Sequence, residues 1–200
     1  MASPLLPYRI TICGLTELAA HATSGFSHVI SILDPEWLDP EDFEGYGPHR
    51  RVVYRFDDVV EVRAGVTAPN ERDVEALLDF GRMLAKESVD RLLIHCHAGV
   101  SRSTAAAIIL MAQNNRGRED EVFAELARLR PRSWPNALMV GIADGLLDRG
   151  GTLVAELRKH QRQMVRDHPE FAEILVHGVR AHELVGPDED DDLCSVVSGR

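Results

Sequence analysis

The run HCHAGVSRS, His95 to Ser103, sets a cysteine, Cys96, five intervening residues ahead of an arginine, Arg102. Three apolar residues, Leu92 to Ile94, lead into it, and an alanine-rich apolar stretch follows it. The pattern reads as a strand, a tight loop and a buried helix. Successive N–H groups of such a loop point inward and the helix N-terminus adds partial positive charge, which makes an anion site. Gly99 allows backbone angles that a side chain would resist. The Arg102 guanidinium can grip two oxygens of a phosphate at once. The same positive surroundings favour the thiolate of Cys96, the nucleophilic form. A loop so built can bind a phosphoryl group and attack it with its own sulfur. The plainer reading makes Cys96 a small buried hydrophobe and His95 and His97 ordinary loop residues. It leaves unexplained why cysteine, arginine and the following Ser103 meet at one strand-to-helix junction.

These residues need a scaffold. Four β-like runs stand out: Tyr8 to Cys13, His28 to Leu33, Arg51 to Phe56 and Arg91 to Cys96. Each is rich in β-branched or aromatic residues and bounded by Gly, Pro or charge. Helical periodicity covers Glu71 to Glu87, introduced by the capping run TAPN. Arg102 to Asn114 is apolar nearly all round, so it should be central and buried. Glu119 to Leu129 and Asn136 to Asp148 complete the set. Gly141 and Gly145 in the last each cost about 1 kcal/mol against alanine, which suggests close packing there. Strands alternating with helices predict an α/β fold, a central mostly parallel sheet of four to five strands flanked by helices. Beyond Gly150 come two amphipathic segments, broken at Pro169, that form a C-terminal helical extension. The expected division is a main domain over residues 1–150, the extension over 151–186 and an acidic tail over 187–200.

The chain has 200 residues, of which 44% are hydrophobic, enough for one domain with a real core. A net charge of −10 argues against nucleic acid or an anionic membrane as partner. The longest apolar run, Ala105 to Ala112, is too short to span a bilayer. The N-terminal MASPLLPYRI lacks the pattern of a secretory leader, so a cytoplasmic protein is expected. The three cysteines, Cys13, Cys96 and Cys194, are odd in number and widely spaced. That favours one functional thiol over a disulfide framework. Cys13 ends a strand and reads as a buried structural residue, with a redox bridge to Cys96 as the alternative. The nine histidines are scattered, with no HExxH or paired CxxC, so neither metal nor other cofactor is expected.

HCHAGVSRS resembles the phosphate-binding loop of the cysteine-dependent protein phosphatases, H-C-x-A-G-x-S-R-S, nearest to the dual-specificity branch. GFSHVISIL resembles that family's second core strand, and LRPRSWPN its R-P…P-N segment. The resemblance covers roughly Tyr8 to Leu147 and makes 1–150 a phosphatase-like domain. It implies that Cys96 forms a phosphocysteine, that Arg102 binds the phosphate, and that Ser103 donates a hydrogen bond to the departing sulfur. The amides of His97, Ala98, Gly99, Val100, Ser101 and Arg102 would line the site, with His97, Val100 and Ser101 acting mainly through backbone. Asn136 would brace the loop from behind. His95 would tune the thiol through the loop's hydrogen bonds or serve as a plain core histidine. The general acid should come from YRFDDVVE, where Asp57 and Asp58 compete. Phe56-Asp57-Asp58 fits the family's apolar-spacer-acid order with Asp58 as the acid.

The implied substrate is a phosphorylated protein, carrying phosphotyrosine with or without phosphoserine and phosphothreonine. The loop has none of the lysines of relatives that act on inositol phosphates, and the chain is too acidic for an RNA-directed one. No tyrosine-bearing loop of the strict tyrosine phosphatases is evident. Two other classes compete: a catalytically silent phospho-binding module, and a rhodanese-type sulfurtransferase, which needs no general acid. Oligomeric state is not legible.

Overall fold

A computed structural model describes residues 3–170 and Glu183. The rest of the predicted extension, the acidic tail and Cys194 lie outside the described residues. Four strands, β1 (Arg9–Cys13), β2 (His28–Leu33), β3 (Arg50–Arg55) and β4 (Arg91–His95), form one parallel sheet ordered β1-β4-β2-β3. Each matches its sequence run to within a residue at either end. The helices are α1 (Leu18–His21), α2 (Glu71–Leu84), α3 (Arg102–Gln113), α4 (Glu119–Leu129), α5 (Ala137–Leu146) and α6 (Thr152–Asp167). The α/β class is as expected, with four strands, all parallel. Among the described residues no helix is long and apolar enough to cross a membrane.

Alternation along the strands divides the core. Ile10, Ile12, Ile30, Ile32, Leu92 and Ile94 face the helical layer, whose centre is α3. Cys13, Val29 and Leu93 face the other side, where Leu18 of α1 and Phe26 cover them. Every residue from Arg102 to Ala112 is buried, which explains the missing polar face of α3. Burying Ile108, Ile109 and Leu110 contributes roughly 1.5–3 kcal/mol each. Helix α2 starts at a reciprocal cap: the Arg72 N–H donates to Asn70 Oδ1 at 3.0 Å, and the Asn70 N–H to Asp73 Oδ2 at 3.0 Å. It ends three residues early, because Lys86 and Glu87 close a tighter turn onto Met83 and Leu84.

Close packing at Gly141 and Gly145 is not found: a Cβ at either would meet nothing within 4 Å. Gly81 of α2 is the glycine that does this, since a Cβ there would come 2.8 Å from Leu110 Cδ2. α1 and the 3-10 turns at Leu15–Glu17 and Glu41–Gly45 were not expected, being too short to show a period.

In a parallel sheet all strands end at one edge. The chain leaves β1 at Gly14, β2 at Asp34, β3 at Phe56 and β4 at Cys96 on that edge. β4 lies between β1 and β2, so the loop after it is flanked by their exits, where open α/β sheets bind ligands.

Candidate active site

The loop from His97 to Ser101 has each carbonyl turned outward onto a protein donor. His97 O accepts from the Leu15 N–H at 2.8 Å, and Ala98 O and Gly99 O accept from Arg130 Nη2 and Nε at 3.3 and 3.0 Å. Val100 O accepts from the Trp134 N–H at 2.9 Å and Thr104 Oγ1 at 2.6 Å. Ser101 O accepts from the Asn136 N–H at 3.3 Å and Thr104 Oγ1 at 2.7 Å. A trans peptide points its N–H opposite its C=O, so the following amides turn to the concave side. The Gly99 N–H donates to Cys96 Sγ at 3.3 Å. The concave face is thus a nest of donors at the start of α3, suited to an anion.

Two glycines let this loop lie against the end of β1. Gly99 has φ +71°, and a Cβ there would sit 2.5 Å from the Cys13 carbonyl carbon. A Cβ on Gly14 would come 2.9 Å from His97 O. Arg130 grips Glu17 through two 2.8 Å bonds, and Glu17 Oε2 accepts from the Gly14 N–H at 2.7 Å. That hydrogen-bonded pairing holds the Glu17 carboxyl below its ordinary range.

Cys96 is 1% exposed, with Sγ 3.2 Å from Ser103 Oγ. Arg102, also buried, donates from Nη1 to Asp34 Oδ1 and to Phe56 O, both at 2.6 Å. The two candidate acids turn apart. Asp57 Oδ2 accepts from the Thr67 N–H at 2.7 Å and closes its own loop. Asp58 turns to the Cys96 loop, where Oδ1 accepts from Ser101 Oγ at 2.7 Å and Asn136 Nδ2 at 3.0 Å. Its Oδ2 lies 4.0 Å from Arg102 Nε. β3 ends at Arg55, so it is the bond to Ser101, not strand alternation, that orients Asp58. Asn136 also caps α5, accepting from the Met139 N–H at 3.1 Å, and so binds the loop, the acid segment and a helix together.

His95 points to the other face of the sheet from Cys96, with Nε2 2.6 Å from Ser31 Oγ. Burial pushes its imidazole down to about 4, which the Cys96 backbone only partly opposes. It lies fully buried in the core and meets the Cys96 loop only through backbone. Ser101 and His97 do more than backbone work: Ser101 through Asp58, and His97 through a ring that accepts from the Asp34 N–H at 3.3 Å. Cys13 is buried on the α1 side of the sheet, in a different cluster from Cys96. Burial pushes its thiol up to about 12. Both are free thiols on opposite faces, which favours the structural reading of Cys13 over the redox bridge.

No protein-family model matches the chain. Over 113 residues it is 26% identical to human dual specificity protein phosphatase 2, a stretch that is 56% of this chain and 33% of that protein. Over 110 residues it is 27% identical to MAP kinase phosphatase with leucine-rich repeats protein 2 of Dictyostelium discoideum, 55% of this chain and 14% of that one. The chain is similar to the dual-specificity protein phosphatases. It spans a third or less of the length of these relatives. The crystal structure of DUSP15 shares the fold at TM-score 0.54 and 17% identity, over 80% of this chain and 94% of that one. Cydia pomonella PTP-2 phosphatase does so at 0.54 and 22%, over 72% and 88%.

The resemblance to dual-specificity phosphatases pointed to the loop, Asp58 and Asn136, and the structure brings these together. It gave no role to Asp34, Glu17, Arg130 or Trp37. Two signals were available. Arg130 lies inside the quoted LRPRSWPN, and Asp34 is the acid directly after a parallel strand, where ligands bind.

Proposed function

We propose that this chain hydrolyses phosphomonoesters on proteins, preferring phosphotyrosine, through a phosphocysteine. The observation that carries the reading is the ring of outward carbonyls around Cys96, which turns the loop's amides onto one concave face beside the sulfur. The substrate's phosphate sits on those amides and on Arg102. The Cys96 thiolate attacks phosphorus, the ester P–O bond breaks, and the leaving oxygen takes a proton from Asp58. Asp58, now a carboxylate, takes a proton from water as that water attacks phosphorus. The P–S bond breaks, inorganic phosphate leaves, and the Ser103 hydroxyl hydrogen-bonds to the departing sulfur. The chemistry needs only side chains, amides and water, so activity should survive excess EDTA. We place the reaction in the cytoplasm.

The phosphotyrosine preference draws support from Trp37, which is 48% exposed although its ring packs edge-on to His97 at 4.4 Å. An aryl group on the bound phosphate would find an indole beside the cradle. The test is Cys96→Ser. It should bind tungstate nearly as well as wild type and lose turnover on an aryl phosphate, because cradle and arginine remain without the nucleophile. Appreciable turnover by Cys96→Ser removes Cys96 from its role. A wild-type protein that binds tungstate and hydrolyses nothing is a phospho-binding module, and thiosulfate turnover would mark a sulfurtransferase.

A further inference from the structure

We propose that Asp34 is a positioning residue that orients Arg102 for the phosphate, a role that rests on reading the site as phosphate-binding. The Arg102 side chain is 3% exposed, and Nη1 spends its donors on Asp34 Oδ1 and Phe56 O, each at 2.6 Å. Among the described residues Nε has no hydrogen-bond acceptor, although it is buried. A guanidinium is planar, so fixing Nη1 with two acceptors fixes where the Nε edge points. The two acceptors come from the exits of different strands, Asp34 from β2 and Phe56 from β3, and pin the group from two sides. The contact uses the outer nitrogen and leaves Nε without a hydrogen-bond acceptor, facing Asp58 Oδ2 at 4.0 Å, which is the arrangement of a support and not of a plug.

Asp34 is itself held. Arg55 Nη1 donates to the carbonyls of Asp34, Pro35 and Trp37 at 3.3, 3.4 and 2.6 Å, and its Nη2 donates to Asp39 Oδ1 at 2.5 Å. The Asp34 N–H meanwhile binds the His97 ring, so one residue ties both the arginine and the loop residue after Cys96 to the end of β2. Asp34 does not touch Cys96, and it meets the loop at the His97 ring and not at the loop amides. Its effect passes through the angle of Arg102. Small misplacements of a group that grips the transition state cost rate more than binding.

The test compares wild type, Asp34→Ala and Asp34→Asn for kcat and KM on an aryl phosphate, for tungstate affinity by calorimetry, and for Tm. Asp34→Ala should lose about ten- to a hundredfold in kcat and weaken tungstate binding, with Tm close to wild type. Asp34→Asn keeps an oxygen acceptor for Nη1 and should recover most of kcat. It should bind tungstate at least as tightly as wild type, since a negative charge near the anion is gone. Unchanged kcat in Asp34→Ala, or tighter tungstate binding by it, overturns the role. So does failure of Asp34→Asn to recover kcat. If Asp34→Ala does not fold, Asp34→Glu keeps the charge but shifts it by one methylene, and wild-type kcat in that variant overturns the role. A wild type that binds tungstate without turnover refutes the phosphatase reading alone, and the tungstate affinities then judge Asp34. A wild type that does neither overturns both.

Discussion

Adjacent carboxylates after β3 have separate partners, Asp57 on the Thr67 amide of its own loop and Asp58 on Ser101 and Asn136 beside the cradle. A general acid must reach the leaving oxygen, and of the two carboxylates only Asp58 is anchored to the Cys96 loop. Asp58→Asn should therefore cut turnover on an alkyl or tyrosyl phosphate by about 10²–10⁴, with a smaller loss on a good leaving group. Asp57→Asn should change kcat little. The opposite ranking of the two variants would shift the acid by one residue. At this scale the sequence was informative where spacing is local. Cys96, Arg102 and Ser103 lie in one short run, and the family resemblance points to Asp58. The partners of Asp34 and Glu17 were not legible, because each meets its partner only after the strands are laid side by side.

The segment between β2 and β3 works as a wall of the site. Arg55 fastens it from β3, and it presents the half-exposed Trp37 next to His97. An aromatic contact of this kind contributes about 0.5–1.5 kcal/mol beyond burial, so Trp37→Ala should raise KM for a phosphotyrosine peptide about two- to tenfold. KM for a phosphoserine peptide should move less, and kcat should hold for both. An equal change for the two peptides would remove Trp37 from aryl recognition. Strands and long helices were legible from period and, at Asn70, from capping. The Trp37 wall was missed because it has no period; only the parallel β2–β3 pairing, which aligns Leu33 with Arg55, brings its anchors together. The packing expected of Gly141 and Gly145 failed for a related reason. A glycine's cost is visible in the sequence, but the neighbour that would justify it is not.

Across the molecule, burial sets the pH dependence of stability. His95 is neutral in the fold, its imidazole pushed down to about 4 from an ordinary 6.5, and burial lowers His160 as well. The unfolded chain takes up protons below about 6.5 that the folded chain refuses. Stability is then full above that pH and falls as pH drops toward 4, with His95 contributing roughly 3 kcal/mol as an upper bound. Denaturant unfolding at pH 7 and pH 4.5 should give a smaller drop for His95→Gln than for wild type. Equal drops would mean that His95 titrates normally. The four-stranded order β1-β4-β2-β3 was not deducible from the runs themselves, which give strands but no neighbours.

The central claim is covalent, and the most direct measurement is to catch the intermediate. Enzyme mixed with a labelled aryl phosphate and quenched in acid within the first turnovers should carry label on the peptide containing Cys96. Cys96→Ser should carry none, and Asp58→Asn should still form the adduct from a substrate with a good leaving group, losing it more slowly. Steady turnover with no label on Cys96 at any quench time would contradict the account.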